Sequence, residues 1–259
     1  MNIEFFLKKL QIKKCDKIIV TSNIIKILSK FKKNEINFDP NKLINILKKK
    51  IGKEGTLLIP TFNWDFLKGK TYDYYNSASQ AGALGNIALK RKDFLRTFNP
   101  VYSYAVSGKD KKKICNIKHT NCFSLNSPFG YLLKNKGKNL FIDMNQTDFD
   151  KTYFNGFPFH HVVEQNVKVP YRFIKEFRGY YIKNKKMKKL VKIKFYARVL
   201  KFKHRVFVTK KLENELKNKN FLKNEVFQGI NLDIIDLKNT FNILKKDLKN
   251  KKKFFVKVY

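Results

Sequence analysis

Cysteine is scarce in this 259-residue chain: Cys15, Cys115 and Cys122 are odd in number and show no C-x-x-C spacing. Neither a disulfide framework nor a zinc site is suggested by that pattern, and a reducing compartment is expected. Acid is equally thin, with 20 Asp and Glu against 57 Lys and Arg, a net charge of +37. No apolar run approaches the about 18 residues of a membrane-spanning helix, so no membrane span is expected. Met1 to Leu10, MNIEFFLKKL, sets lysines after a short apolar patch with an acid inside it. That order is unlike a secretory signal, and a soluble, cytoplasmic protein is the expectation. The six prolines stand singly and no Pro/Gly/Ser linker or internal repeat divides the chain. One domain over residues 1–259 is therefore expected, and a 43% hydrophobic content supplies its core. Also missing are the Walker glycine-lysine loop and the G-x-G-x-x-G turn, which removes those two kinds of nucleotide site.

What is present in excess is lysine. A strongly positive field favours anionic partners and repels polycations. Only six of the basic residues are arginines, however, and the lysine runs at 111–113, 185–186 and 251–253 lack interleaved aromatics. Specific nucleic-acid binding is not expected from that pattern.

Strand and helix patterns alternate early in the chain. Lys17 to Thr21 is a short buried-strand pattern that runs through Ser22 and Asn23 into a helix from Ile24 to about Phe31. Asp39-Pro40 starts a second helix through Lys50, followed by the turn 52–55 and a strand at Thr56–Ile59. Further on, Ala81–Lys90 reads as a helix, and Ser103–Val106 and Asn139–Ile142 as strands. Residues 194–208 read as one or two antiparallel strands, Leu212–Leu222 and Leu237–Leu248 as amphipathic helices, and residues 254–256 as a last strand. An α/β fold with a mixed sheet follows.

The strongest acid/base candidate is His160-His161-Val162-Val163-Glu164. Residues i and i+3 share a helix face, so Glu164 can orient the His161 ring and is expected to raise its pKa. His160 with Glu164 at i+4 satisfies the same geometry. A metal is not expected, since H-E-x-x-H spacing and a third ligand are missing. Thr21-Ser22-Asn23 at the strand-to-helix turn suits either phosphate oxygens at a helix N-terminus or plain N-capping. Cys122 has nothing beside it to activate a thiol and reads as a small apolar residue.

Several segments in order resemble one family. Ile18 to Ser22 is similar to a strand ending H-S-S, and it is followed by residues 52–57 (GKEGTL) and Pro60-Thr61-Phe62. Residues 77–84 (SASQAGAL) resemble T-P-S-x-x-G-A-L, and residues 96–103 (RTFNPVYS) resemble R-S-x-H-P-x-x-S. His119 precedes Ser127-Pro128-Phe129-Gly130, and His161-x-x-Glu164 is followed by Val169-Pro170-Tyr171-Arg172. This series, over roughly residues 15 to 180, resembles the aminoglycoside 3-N-acetyltransferase family, which is acetyl-CoA-dependent and distinct from the GNAT enzymes.

The resemblance implies a mixed central β-sheet flanked by helices, with acetyl-CoA as co-substrate. It selects His161 as the catalytic histidine, with Glu164 as its orienting acid. Thr21, Ser22 and Asn23 would face the CoA pyrophosphate and Ser103 the pantetheine or acetyl end. Trp64, Asn99, Tyr153 and Tyr171 are expected on the acceptor side, Trp64 and Tyr153 as stacking surfaces. Thr21 and Asn23 depart from H-S-S, Asn99 replaces the histidine of H-P, and residues 143–159 are longer than in the antibiotic enzymes. With so few acids, the chain is expected to act on an anionic amino sugar, nucleotide-linked and destined for a surface polysaccharide. The alternative acceptor is an aminoglycoside, which would make the enzyme a resistance factor.

Overall fold

The computed structural model describes residues 12–33, 38–144, 159–184, 187–199, 207–208, 210–227, 229–250 and 256–257. Its centre is a seven-stranded sheet in the order β10-β11-β6-β1-β2-β5-β4. These strands are β1 (Lys17–Ser22), β2 (Thr56–Pro60), β4 (Leu95–Arg96), β5 (Tyr104–Gly108), β6 (Lys138–Ile142), β10 (Leu222–Phe227) and β11 (Ile230–Asp236). β6, β1 and β2 are parallel, while β11 pairs antiparallel with β6 and β10 with β11 on one side, and β5 pairs antiparallel with β2 and β4 with β5 on the other. The parallel centre explains the continuous apolar runs there, because it is covered on both faces.

Alternate residues of β1 serve two cores. Ile18 and Val20 face a layer formed by α1 (Ile24–Lys33), α2 (Pro40–Ile51) and α3 (Ala83–Leu89). Ile19 faces the other, beneath α4 (Lys111–Cys115), α5 (Pro128–Lys134), α6 (Phe159–Val167), α7 (Lys210–Asn218) and α8 (Leu237–Lys249). α2 starts as the sequence predicts, with the Asp39 carboxylate accepting from the Asn41 amide at 2.8 Å and Pro40 in the first turn. No helix among the described residues is long and apolar enough to cross a membrane.

A second, three-stranded sheet joins β3 (Tyr72–Asp73) to a long antiparallel hairpin, β7 (Arg172–Asn184) and β8 (Met187–Arg198). The sequence placed strands only from residue 194 onward, so most of this hairpin is new. The helix expected over 212–222 ends at Asn218, because Asn220 adopts a left-handed φ of 56° and turns the chain into β10. The terminal strand β12 (Val256–Lys257) pairs with β9 (Phe207–Val208), and residues 254–255 of the expected strand lie outside the described residues.

Candidate active site

α6 is fixed to the core by Phe159, Val162 and Val163, all buried, with the Phe159 ring 6.4 Å from that of Phe241 on α8. That anchoring sets Glu164 inside the protein, its side chain 1% exposed, and leaves His161 one turn earlier at 13%. His161 Nδ1 lies 2.9 Å from Glu164 Oε2. A carboxylate oxygen only accepts, so Nδ1 carries the proton and Nε2 keeps its lone pair.

Three more groups converge on Glu164. At Lys168, φ is 60° and the chain reverses out of α6, and Pro170 then starts the extended run into β7. This turn returns Tyr171 and Arg172 to the helix they follow. The Tyr171 hydroxyl donates to Glu164 Oε1 at 3.2 Å, and Arg172 Nε sits 2.6 Å from Oε2 as an ion pair. From β8 the Tyr196 hydroxyl donates to the Glu164 and Val169 carbonyls at 3.4 and 3.3 Å. Phe123 packs against the imidazole, ring centroids 4.9 Å apart. Arg172, Tyr196 and Phe123 are the residues that sequence reasoning left without a role. The Val-Pro-Tyr-Arg run was the available signal for Arg172.

These neighbours correct one electrostatic expectation. Burial, and after it the Arg172 guanidinium, push the His161 pKa well below its ordinary 6.5, not above it. Glu164 is already matched by Arg172, so its charge is not available to favour an imidazolium. The ring is thus a free base at neutral pH. His160, whose ring centroid is 3.8 Å from that of His161, is pushed down as well, first by burial and then by His161.

Potential metal donors also meet here, since atoms of His160, His161 and Glu164 lie within 4.8 Å of one another. His160 is the third donor that the sequence spacing did not reveal. A divalent ion would nonetheless have to share Glu164 with the guanidinium 2.6 Å away, which opposes cation binding.

Several expected ligand contacts turn inward. Thr21 is buried and its hydroxyl donates to Asn139 Oδ1 at 3.3 Å across the sheet. Asn23 Oδ1 accepts from the Lys26 amide at 3.1 Å, so it caps α1, while Ser22 is half-buried beside it. Ser103 is fully buried, its hydroxyl spent on the Thr61 carbonyl at 2.7 Å and reached by Arg96 Nε at 3.1 Å. Asn99 holds its own loop, with Oδ1 accepting from the amides of Val101 and Tyr102 at 2.9 and 3.0 Å. Tyr171, expected to meet the acceptor, instead donates to Glu164. Trp64 remains partly exposed at 36%. Tyr153 and most of residues 143–159 lie outside the described residues. Asp143, at the end of β6, is wholly buried and pairs with Lys30 of α1 at 2.8 Å, beside the Ser22–Asn23 turn.

The arrangement is a mixed α/β fold that holds a neutral imidazole against a buried, charge-matched carboxylate. The family model for aminoglycoside 3-N-acetyltransferase matches residues 28–249, and the chain belongs to that family. It is accordingly an acetyl-CoA-dependent N-acetyltransferase. Among solved structures, AAC-IIIb in binary complex with CoASH is similar at a TM-score of 0.73 and 15% identity, covering 95% of this chain and 94% of that one. AAC-VIa bound to sisomicin reaches a TM-score of 0.74 at 12% identity, covering 95% and 96%. The YokD protein from Bacillus subtilis reaches 0.70 at 19% identity, covering 94% and 96%. Among curated proteins none matches this sequence.

Proposed function

We propose that the chain transfers an acetyl group from acetyl-CoA to an amine of an aminoglycoside-class amino sugar, with His161 as general base. The observation that supports this reading best is the 2.9 Å contact between His161 Nδ1 and the buried Glu164 carboxylate. It leaves Nε2 as the basic atom on a ring that is partly exposed. In the reaction His161 Nε2 takes a proton from the amine as its nitrogen attacks the thioester carbonyl carbon. The tetrahedral oxyanion then collapses, the C–S bond breaks, and the CoA sulfur leaves with the proton that the imidazolium returns. Glu164 fixes the tautomer, and Tyr171 and Arg172 position Glu164. For the donor, Ser22 and the first turn of α1 are proposed to receive the CoA pyrophosphate, with Lys26 and Lys30 beside it.

The aminoglycoside reading of the acceptor rests on family membership and on relatives such as AAC-VIa, which is bound to sisomicin. The net charge of +37 favours a second reading, an anionic and nucleotide-linked amino sugar, because a polycation is repelled by that field. A thiol-release assay with acetyl-CoA separates the two. Turnover with sisomicin or gentamicin and none with nucleoside diphosphate amino sugars supports the first reading, and the reverse pattern overturns it.

A further inference from the structure

The inner face of the β7–β8 hairpin is covered. Phe195 packs on Tyr102 and Phe123, with ring centroids 6.1 and 5.6 Å apart, and Ile193 is fully buried. Gly179 lies so close to the Phe66 ring that an added Cβ would stand 2.7 Å from it.

Among the described residues, the opposite face is closed at its base, where Tyr196 is buried and bonds to the Glu164 carbonyl, and open over its outer half. Tyr180 and Leu190 are cross-strand partners there, 47% and 60% exposed. Arg178 pairs with Lys192 on one side of them and Ile182 with Lys188 on the other. Ile174, on the same face, is 51% exposed, and Met187, at the far end of β8, is 49% exposed. From Arg172 to Arg198 the sequence holds eleven basic residues and a single acid, Glu176. That acid is already engaged by Arg178 at 3.1 Å and Lys192 at 3.8 Å. Lysines that scatter along the sequence therefore concentrate around an exposed apolar centre.

We propose that this face docks on the surface of an anionic phospholipid bilayer, its apolar side chains entering the interface and its lysines and arginine meeting the headgroups. Two other occupants fit less well. A second copy would set like charges against each other. Single-stranded nucleic acid would need open ring faces, but the one aromatic ring of the Tyr180–Leu190 centre, that of Tyr180, has the Lys188 ammonium 4.1 Å from its centroid. Arg172 at the base of the same hairpin is ion-paired to Glu164. Docking would hold the catalytic pair beside the bilayer.

Because the whole protein is cationic, the test must separate this face from general charge. Co-sedimentation with phosphatidylglycerol-containing vesicles is compared for the full chain, for Lys188→Glu/Lys192→Glu, and for a charge-matched control, Lys112→Glu/Lys118→Glu. Each lysine at the bilayer surface contributes a factor of about five in partitioning, so the hairpin variant should bind at least about 20-fold more weakly while the control changes less than about threefold. Leu190→Ser, which leaves the charge intact, should also weaken binding, and acetyl transfer to a soluble amine should be the same in all variants. Equal losses in the two charge variants, or unchanged binding of Leu190→Ser, would overturn the proposal. So would a hairpin variant that loses affinity for oligouridylate but not for vesicles.

Discussion

Replacing Glu164 with glutamine tests the charge matching that organises the site. The carboxylate is 1% exposed, accepts from Tyr171 at 3.2 Å, holds His161 Nδ1 at 2.9 Å and pairs with Arg172 at 2.6 Å. A neutral amide of the same shape leaves the guanidinium without its counter-charge and presents NH₂ to one of three donors. Breaking a fully buried ion pair from one side costs about 3–5 kcal/mol. The Arg172 side chain is 15% exposed, so solvent recovers part of that cost and about 2–3 kcal/mol is expected. Against a total stability of about 5–15 kcal/mol this is a large fraction. Urea denaturation followed by far-UV circular dichroism should show the midpoint falling by about 1 M at unchanged slope. Glu164→Gln/Arg172→Met removes both charges and should recover most of the stability while leaving acetyl transfer impaired, since the imidazole still lacks its orienting acid. A single variant as stable as the parent, or a double variant destabilised by the sum of its parts, would refute the charge-matching argument.

The remaining expectations concern protons, packing and metal. Because burial and Arg172 hold the His161 pKa well below 6.5, the acid limb of kcat/KM should bend below that value, and an inflection above 7 contradicts the assignment. The unfolded chain binds the His161 proton more readily, so this contribution to stability is complete above about pH 6.5 and is lost as pH falls through the folded pKa; midpoints measured against pH should show that sign. Gly130→Ala would place a Cβ 1.8 Å from the Leu125 carbonyl oxygen, a backbone atom that cannot swing away. It should cost about 1–3 kcal/mol and lower Tm by several degrees in calorimetry. With Arg172 occupying Glu164, extensive dialysis against EDTA should leave turnover unchanged, and restoration of lost activity by zinc would contradict the metal-free chemistry.

Much of the fold was legible because its central strands are short apolar runs bounded by capping residues. Lys17–Ser22 and Thr56–Pro60 are continuous where the sheet is covered on both faces, and Asp39-Pro40 marks the start of α2 without ambiguity. The β7–β8 hairpin was harder to read, because its exposed face alternates lysine with isoleucine, tyrosine and leucine and so lacks a clean polar side. The pairing of His161 with Glu164 follows from helix geometry alone, whereas the roles of its neighbours do not. Whether Thr21, Ser103 and Asn99 face a ligand or the interior depends on contacts across the sheet and within loops, such as Thr21 with Asn139, 118 positions away. The downward pKa shift of His161 has the same origin, since it depends first on burial of the ring in the folded core and then on Arg172 returning from the next strand.

In the proposed mechanism, His161 removes the amine proton during acetyl transfer. Single-turnover thiol release from acetyl-CoA by His161→Ala, measured alongside CoA binding by calorimetry, tests it most directly. Loss of the base should slow the step by about 10²–10⁴-fold with CoA affinity unchanged. Parent-like release from the variant would remove His161 from the mechanism.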